Sequence, residues 1–145
     1  MQINIEVSGI HEAIAELSKI SRIAKETEPI HREIGNMIQN SIEESFEKEA
    51  SPFGKAWTPS KKASGKTLTD TGTLSSSFTV DADDDEVRVG TNLVYAPIHQ
   101  FGGKAGRKRS VTLPARPFLP VKGGELESGL KEEIMAYLAK KLQSA

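Results

Sequence analysis

The chain has 145 residues, no cysteine and a formal net charge of -1; disulfides and thiolate chemistry are excluded, and the scattered His11, His31 and His99 offer no zinc-ligand spacing, so no metal or other cofactor is expected. A hydrophobic share of 37% and a charged share of 27% fit a soluble globular protein, and no run approaches the roughly 20 apolar residues of a membrane-spanning helix. The opening MQINIEVSG lacks the basic and apolar regions of a secretory signal, and the near-zero net charge provides no global field for nucleic acid or an acidic membrane.

Ile3, Ile5 and Val7 alternate with polar residues, the period of a half-buried strand ended by Gly9. From Ile10 the period becomes helical: Ile10, Ala13, Ile14, Leu17, Ser21 and Ala24 share a face after a Ser8 cap, predicting a helix to about Thr27. Pro29 suits the first turn of a second helix. Its stripe of Ile30, Ile34, Met37, Ile38, Ser41, Ile42 and Ser45 predicts the longest element, to about Glu49.

SPFGKAWTPSKKASGKT has no sustained period and reads as a loop that Phe53 and Trp57 pin to the body. A short turn or helix near 71–76 follows. SFTVDA and EVRVGT are alternating runs around an acidic tip, a hairpin signal. YAPIHQFGG predicts a turn of helix stopped by Gly102 and Gly103, followed by a basic loop and a strand SVTLP. In PARPFLPV the prolines enforce an extended path. Leu126, Leu130, Ile134, Leu138 and Leu142 then recur every four residues as an amphipathic closing helix.

These elements predict an α+β fold: a small, mainly antiparallel β-sheet covered by N-terminal and C-terminal amphipathic helices, with long loops. We expect one domain over 1–145, with a helical part at about 10–49, a loop and sheet part at about 50–121 and a C-terminal helix at about 124–143.

Four central segments are more specific: PFGKAWTPS with Trp57, LTDTGTLSSS from Leu68, VGTNLVYAPIHQFGG from Val89 to Gly103, and LPARPFLPV. Together they cover roughly half the chain. In order and wording they resemble the phage virion morphogenesis family, which includes tail completion proteins of Mu-like and related contractile-tailed phages. The matching positions are Trp57, Leu68, Asp70, Gly72, Leu74, Tyr95, His99, Gln100, Gly102, Gly103 and Pro117. The resemblance implies a structural role in finishing the tail or joining it to the head. It further implies partners that are copies of the chain, in an oligomeric ring, and other tail, neck or connector proteins. The expected location is a virion or tail-like particle, reached from the bacterial host cytoplasm during assembly.

The same residues have local readings. Thr69 or Asp70 can cap a short helix while Leu74 and Phe78 turn inward. Tyr95, Ile98 and Phe101 are expected to supply core contacts, and His99 is expected as a hydrogen-bonded brace. The stiff PARPFLP segment either presents Arg116 and Phe118 as an interface anchor or folds Phe118 and Leu119 onto the sheet.

Ser76, His99 and Asp70 lie in one region, but no nucleophile-elbow pattern surrounds Ser76 and no paired carboxylates stand in an apolar context; no catalytic residue is assigned. GKAGRKRS places Lys104, Arg107, Lys108 and Arg109 within six positions. Without interleaved aromatics, this loop supports at most weak, sequence-blind nucleic-acid binding; otherwise it is a solvated loop or an interface. Asp83, Asp84 and Asp85 at the hairpin tip provide an acidic counterpart, facing a neighbouring subunit in a ring, pairing within the chain, or serving solubility.

Overall fold

The computed structural model describes residues 3–6, 10, 14, 27–60, 65–69 and 72–143. The alternating N-terminal segment forms β1 (Ile3–Glu6). The helix predicted from Ile10 to Thr27 lies outside the described residues, save for Ile10 and Ile14, which are helical and buried.

The second predicted helix is α1 (Glu28–Lys48), with Pro29 in its first turn. Its buried side includes Ile30, Ile34, Ile38, Ile42 and Phe46, the last being the next member of an i, i+4 series that the isoleucines begin. The acidic-tipped hairpin is β2 (Thr79–Ala82) and β3 (Val87–Thr91). β3 lies in the middle of a three-stranded antiparallel sheet in the order β1-β3-β2, with Ile3 opposite Thr91 and Thr79 opposite Gly90. β1 therefore reaches the sheet from the far end of the sequence, a pairing that alternation alone does not specify.

α1 lies across β2 and β3. A close approach makes this packing possible. A Cβ on Gly35 would stand 2.8 Å from Val87 Cγ2 and would collide with Val80 Cγ1, so only glycine lets the helix settle on the two valines.

YAPIHQFGG forms α2 (Ala96–Phe101), followed by a second hairpin of β4 (Gly103–Ala105) and β5 (Val111–Leu113). The expected basic loop is thus mostly the turn and flanks of a hairpin. A third hairpin, β6 (Val121–Lys122) and β7 (Glu125–Leu126), turns on Gly123 and Gly124. Both glycines have positive φ, 60° and 80°, as a two-residue turn requires. The closing helix α3 (Ser128–Gln143) consequently starts later than the leucine spacing predicts, and Leu126 belongs to β7.

Of the short turn or helix expected near 71–76, the described residues form a turn over 73–76. Thr69 Oγ1 donates to the Lys66 and Thr67 carbonyls instead of capping it. Leu74 and Phe78 are buried as expected.

Phe46, Trp57, Phe78 and Phe118 form an aromatic cluster between helix, loop and extended segment. Phe46 stacks on Phe118 at 5.4 Å and meets Trp57 edge-on at 5.4 Å, while Phe78 meets Phe118 edge-on at 5.3 Å. Leu130, Ile134 and Leu138 of α3 complete the core.

Gly35→Ala should destabilise the protein by about 1–3 kcal/mol despite alanine's higher helix propensity, because the added methyl overpacks the valines. Urea unfolding followed by circular dichroism checks this, and an unchanged or raised midpoint would refute the packing role of Gly35.

Candidate docking surface

The motif residues converge on the proline-bracketed segment 114–120 and fasten it. Trp57 Nε1 donates to the Pro117 carbonyl at 2.8 Å. The Gln100 side-chain oxygen accepts from both Phe118 N, at 2.8 Å, and Leu119 N, at 3.0 Å. Arg116 N donates to the His99 carbonyl at 2.7 Å. Gly102, at φ 73°, passes so close to the segment that a Cβ would lie 2.8 Å from Ala115 N.

Neither member of the proposed Arg116 and Phe118 anchor is available at the surface of this chain. Phe118 is 0% exposed within the aromatic cluster. Arg116 is buried, with Nε donating to the Thr58 carbonyl at 2.8 Å and Nη2 to the Pro59 carbonyl at 3.3 Å. Removing the backbone donor of each proline leaves few hydrogen bonds to make within this segment, so side chains and neighbouring loops supply them.

His99 is not the hydrogen-bonded brace expected. Its carbonyl is engaged, but among the described residues its buried Nδ1 has no hydrogen-bond partner, and its ring meets Tyr95 edge-on. Burial, reinforced by nearby Arg116, holds its pKa below the ordinary histidine value, which favours the neutral ring. Ser76 does not approach it as a nucleophile would approach a base: its hydroxyl donates to the Gly72 carbonyl at 2.6 Å. Asp70 lies outside the described residues. Leu68, partly buried, has a left-handed φ of 63°, and Gly72 a φ of 70°.

The acidic tip is engaged with its own chain. Thr27, at the N-cap of α1, makes no side-chain cap; instead Asp84 Oδ1 accepts from Glu28 N at 2.9 Å. The Asp84 carbonyl accepts from Thr27 Oγ1 at 2.5 Å, and the Asp83 carbonyl lies 2.7 Å from His31 Nδ1. A carboxylate at a helix N-terminus satisfies an orphan N–H and meets the positive end of the helix dipole. Asp83 Oδ1 accepts from Asp85 N and Glu86 N, both at 2.8 Å, and these donors hold its pKa below the usual carboxylate value. The tip thus caps α1 from within the same chain.

The basic residues are differently placed. Lys104 is on β4, while Arg107, Lys108 and Arg109 form the turn of the β4–β5 hairpin, all exposed. Lys108 and Arg109 have left-handed φ of 56° and 54°, an uncommon backbone for such side chains. None of the four makes an ion pair among the described residues. α2 and its approach leave Tyr95 exposed, with Val94 76% and Phe101 70% accessible, and Val111 on β5 is exposed as well. Tyr95 and Phe101 read in the sequence as core contacts, and the structure leaves both at the surface.

Residues 5–143 match the phage virion morphogenesis family. The chain belongs to this family. It is 37% identical over 93% of its length, and 95% of the relative, to the "Mu-like prophage FluMu G protein 2" of Haemophilus influenzae. It is 33% identical to the "Putative capsid assembly protein G" of Escherichia phage Mu, over 88% of each chain. No solved structure matches. Membership of this virion morphogenesis family gives the chain a structural, assembly role in phage.

Asp84→Ala should destabilise the fold by about 1 kcal/mol, the usual worth of an N-terminal cap. Asp83 provides a pH test. Its folded-state pKa lies below the unfolded value of about 3.9, so its carboxylate stabilises the fold above that value and the contribution disappears as pH falls through the lower folded-state pKa. The stability difference between wild type and Asp83→Ala should therefore be full near neutrality and shrink in acid. A difference independent of pH would contradict that linkage.

Proposed function

We propose that this chain acts in tail completion or head-tail joining by docking to other virion proteins, copies of itself among them, and that it carries out no catalysis. The β4–β5 hairpin carries this reading: four exposed cations without ion pairs among the described residues, with exposed Val111 on its second strand and exposed Phe101 at the end of the helix that leads into it. Apolar side chains contribute affinity when an interface excludes water, whereas surrounding charges chiefly orient the partner and speed encounter. The similarity to the "Putative capsid assembly protein G" of phage Mu supports action during particle assembly.

A second reading, non-specific DNA contact through Lys104, Arg107, Lys108 and Arg109, gains from exposed Phe101, which ends the helix leading into that hairpin. Aromatic faces can stack bases while cations hold phosphates. Phosphate-dominated binding would weaken steeply as salt rises.

Arg107→Glu combined with Arg109→Glu should lower the yield of complete particles by about tenfold or more while changing folding stability by less than about 0.5 kcal/mol, since both positions are exposed. Complementation of a phage lacking the gene, alongside thermal unfolding of the purified variant, measures both effects. Normal particle yield would defeat the docking role of the hairpin. A mobility-shift series in salt separates the alternative: DNA binding that survives near 0.15 M salt, roughly physiological strength, supports it.

A further inference from the structure

Phe101 also borders a groove of about 510 Å³, within the size range of pre-formed binding sites. Trp57, Pro117 and Leu119 contribute its apolar lining, and the exposed Phe53 and Phe101 border it. Its charged lining residues among the described residues are Lys55 and Lys122, with no carboxylate among them. Glu125 stands opposite Lys122 in the β6–β7 register, but neither lysine makes an ion pair among the described residues.

The groove is held before anything enters it. The Trp57 indole is fixed to the Pro117 carbonyl, and Gln100 grips Phe118 N and Leu119 N. Loop 51–57 is closed by Ser51 N donating to the Lys55 carbonyl and Trp57 N to the Glu49 carbonyl, both at 2.8 Å. A rigid apolar lining sacrifices little conformational entropy on binding. Exposed phenylalanines beside unpaired cations form a surface complementary to an apolar side chain accompanied by negative charge.

We propose that the groove receives an extended segment of another virion protein, with an apolar side chain filling the cavity against Phe53 and Phe101 and an adjacent carboxylate meeting Lys55 or Lys122. This rests on the docking reading for its choice of a protein occupant. A second copy would have to supply a carboxylate other than Asp83 or Asp84, which already serve the fold of their own chain. The segment combines shape and charge: apolar contact supplies affinity, and the carboxylate fixes direction.

Trp57 is the sole tryptophan and reports directly on the groove. The purified full chain is titrated with the peptide Gly-Asp-Glu-Leu-Phe-Asp-Glu-Gly, with its counterpart carrying Lys at every acidic position, and with oligo-dT, while Trp57 emission is recorded. The acidic peptide should bind about tenfold more tightly than the lysine peptide. Phe53→Ala with Phe101→Ala should weaken it by about tenfold, and Lys55→Glu with Lys122→Glu should reverse the peptide preference; circular dichroism verifies that both variants remain folded.

No saturable response to the acidic peptide, no preference over the lysine peptide, or tighter binding of oligo-dT would overturn the proposal. So would light scattering that shows self-association in wild type and its loss in the double phenylalanine variant, because a second copy would then occupy the groove. These results remain separate from the role of the β4–β5 hairpin, which particle yield tests through Arg107 and Arg109.

Discussion

The stacking of Phe118 on Phe46 is the contact on which the rest of this architecture depends. It joins the end of α1 to a segment more than seventy positions away in sequence, and Trp57 and Phe78 enclose the pair. Each favourable aromatic contact contributes about 0.5–1.5 kcal/mol beyond the apolar area it buries. The gain is also geometric. With Phe118 seated, the backbone of 114–120 lies where Gln100, Trp57 and the loop carbonyls at Thr58 and Pro59 can meet it.

That fastening explains why the motif-bearing residues and the exposed surface differ. Trp57, Gln100, Gly102 and Pro117 act inward, positioning a segment that has too few backbone donors to order itself. What they leave outside is Phe53, Phe101, the lysines of the groove and the basic hairpin. A buried network that fixes an exposed surface suits a structural component, since its docking geometry is set before the partner arrives.

Both ends of the fold use carboxylates on helix N-termini, in different ways. Glu127 caps α3 locally, its two oxygens accepting from Gly129 N and Leu130 N at 2.8 Å each, and these bonds hold its pKa below the usual value. Asp84 caps α1 from a distant hairpin. The local cap orders one helix; the remote cap also locks the β2–β3 tip against α1, so helix and sheet support each other.

The sequence by itself determined the α+β class, the strand and hairpin periods, the long isoleucine-striped helix and, through four motifs, the family. Those signals are local, because period and turn chemistry act over a few residues and motif wording survives without a structure. Phe46 was legible as the next step of the isoleucine series, and Gly123–Gly124 as a hairpin turn, although the leucine spacing concealed the latter. Only the tertiary structure decided that Phe118 and Arg116 face inward, that Asp84 caps a helix more than fifty positions away, and that Phe101 remains outside. Burial and remote capping depend on which segments meet in space, and one-dimensional spacing carries no record of that meeting.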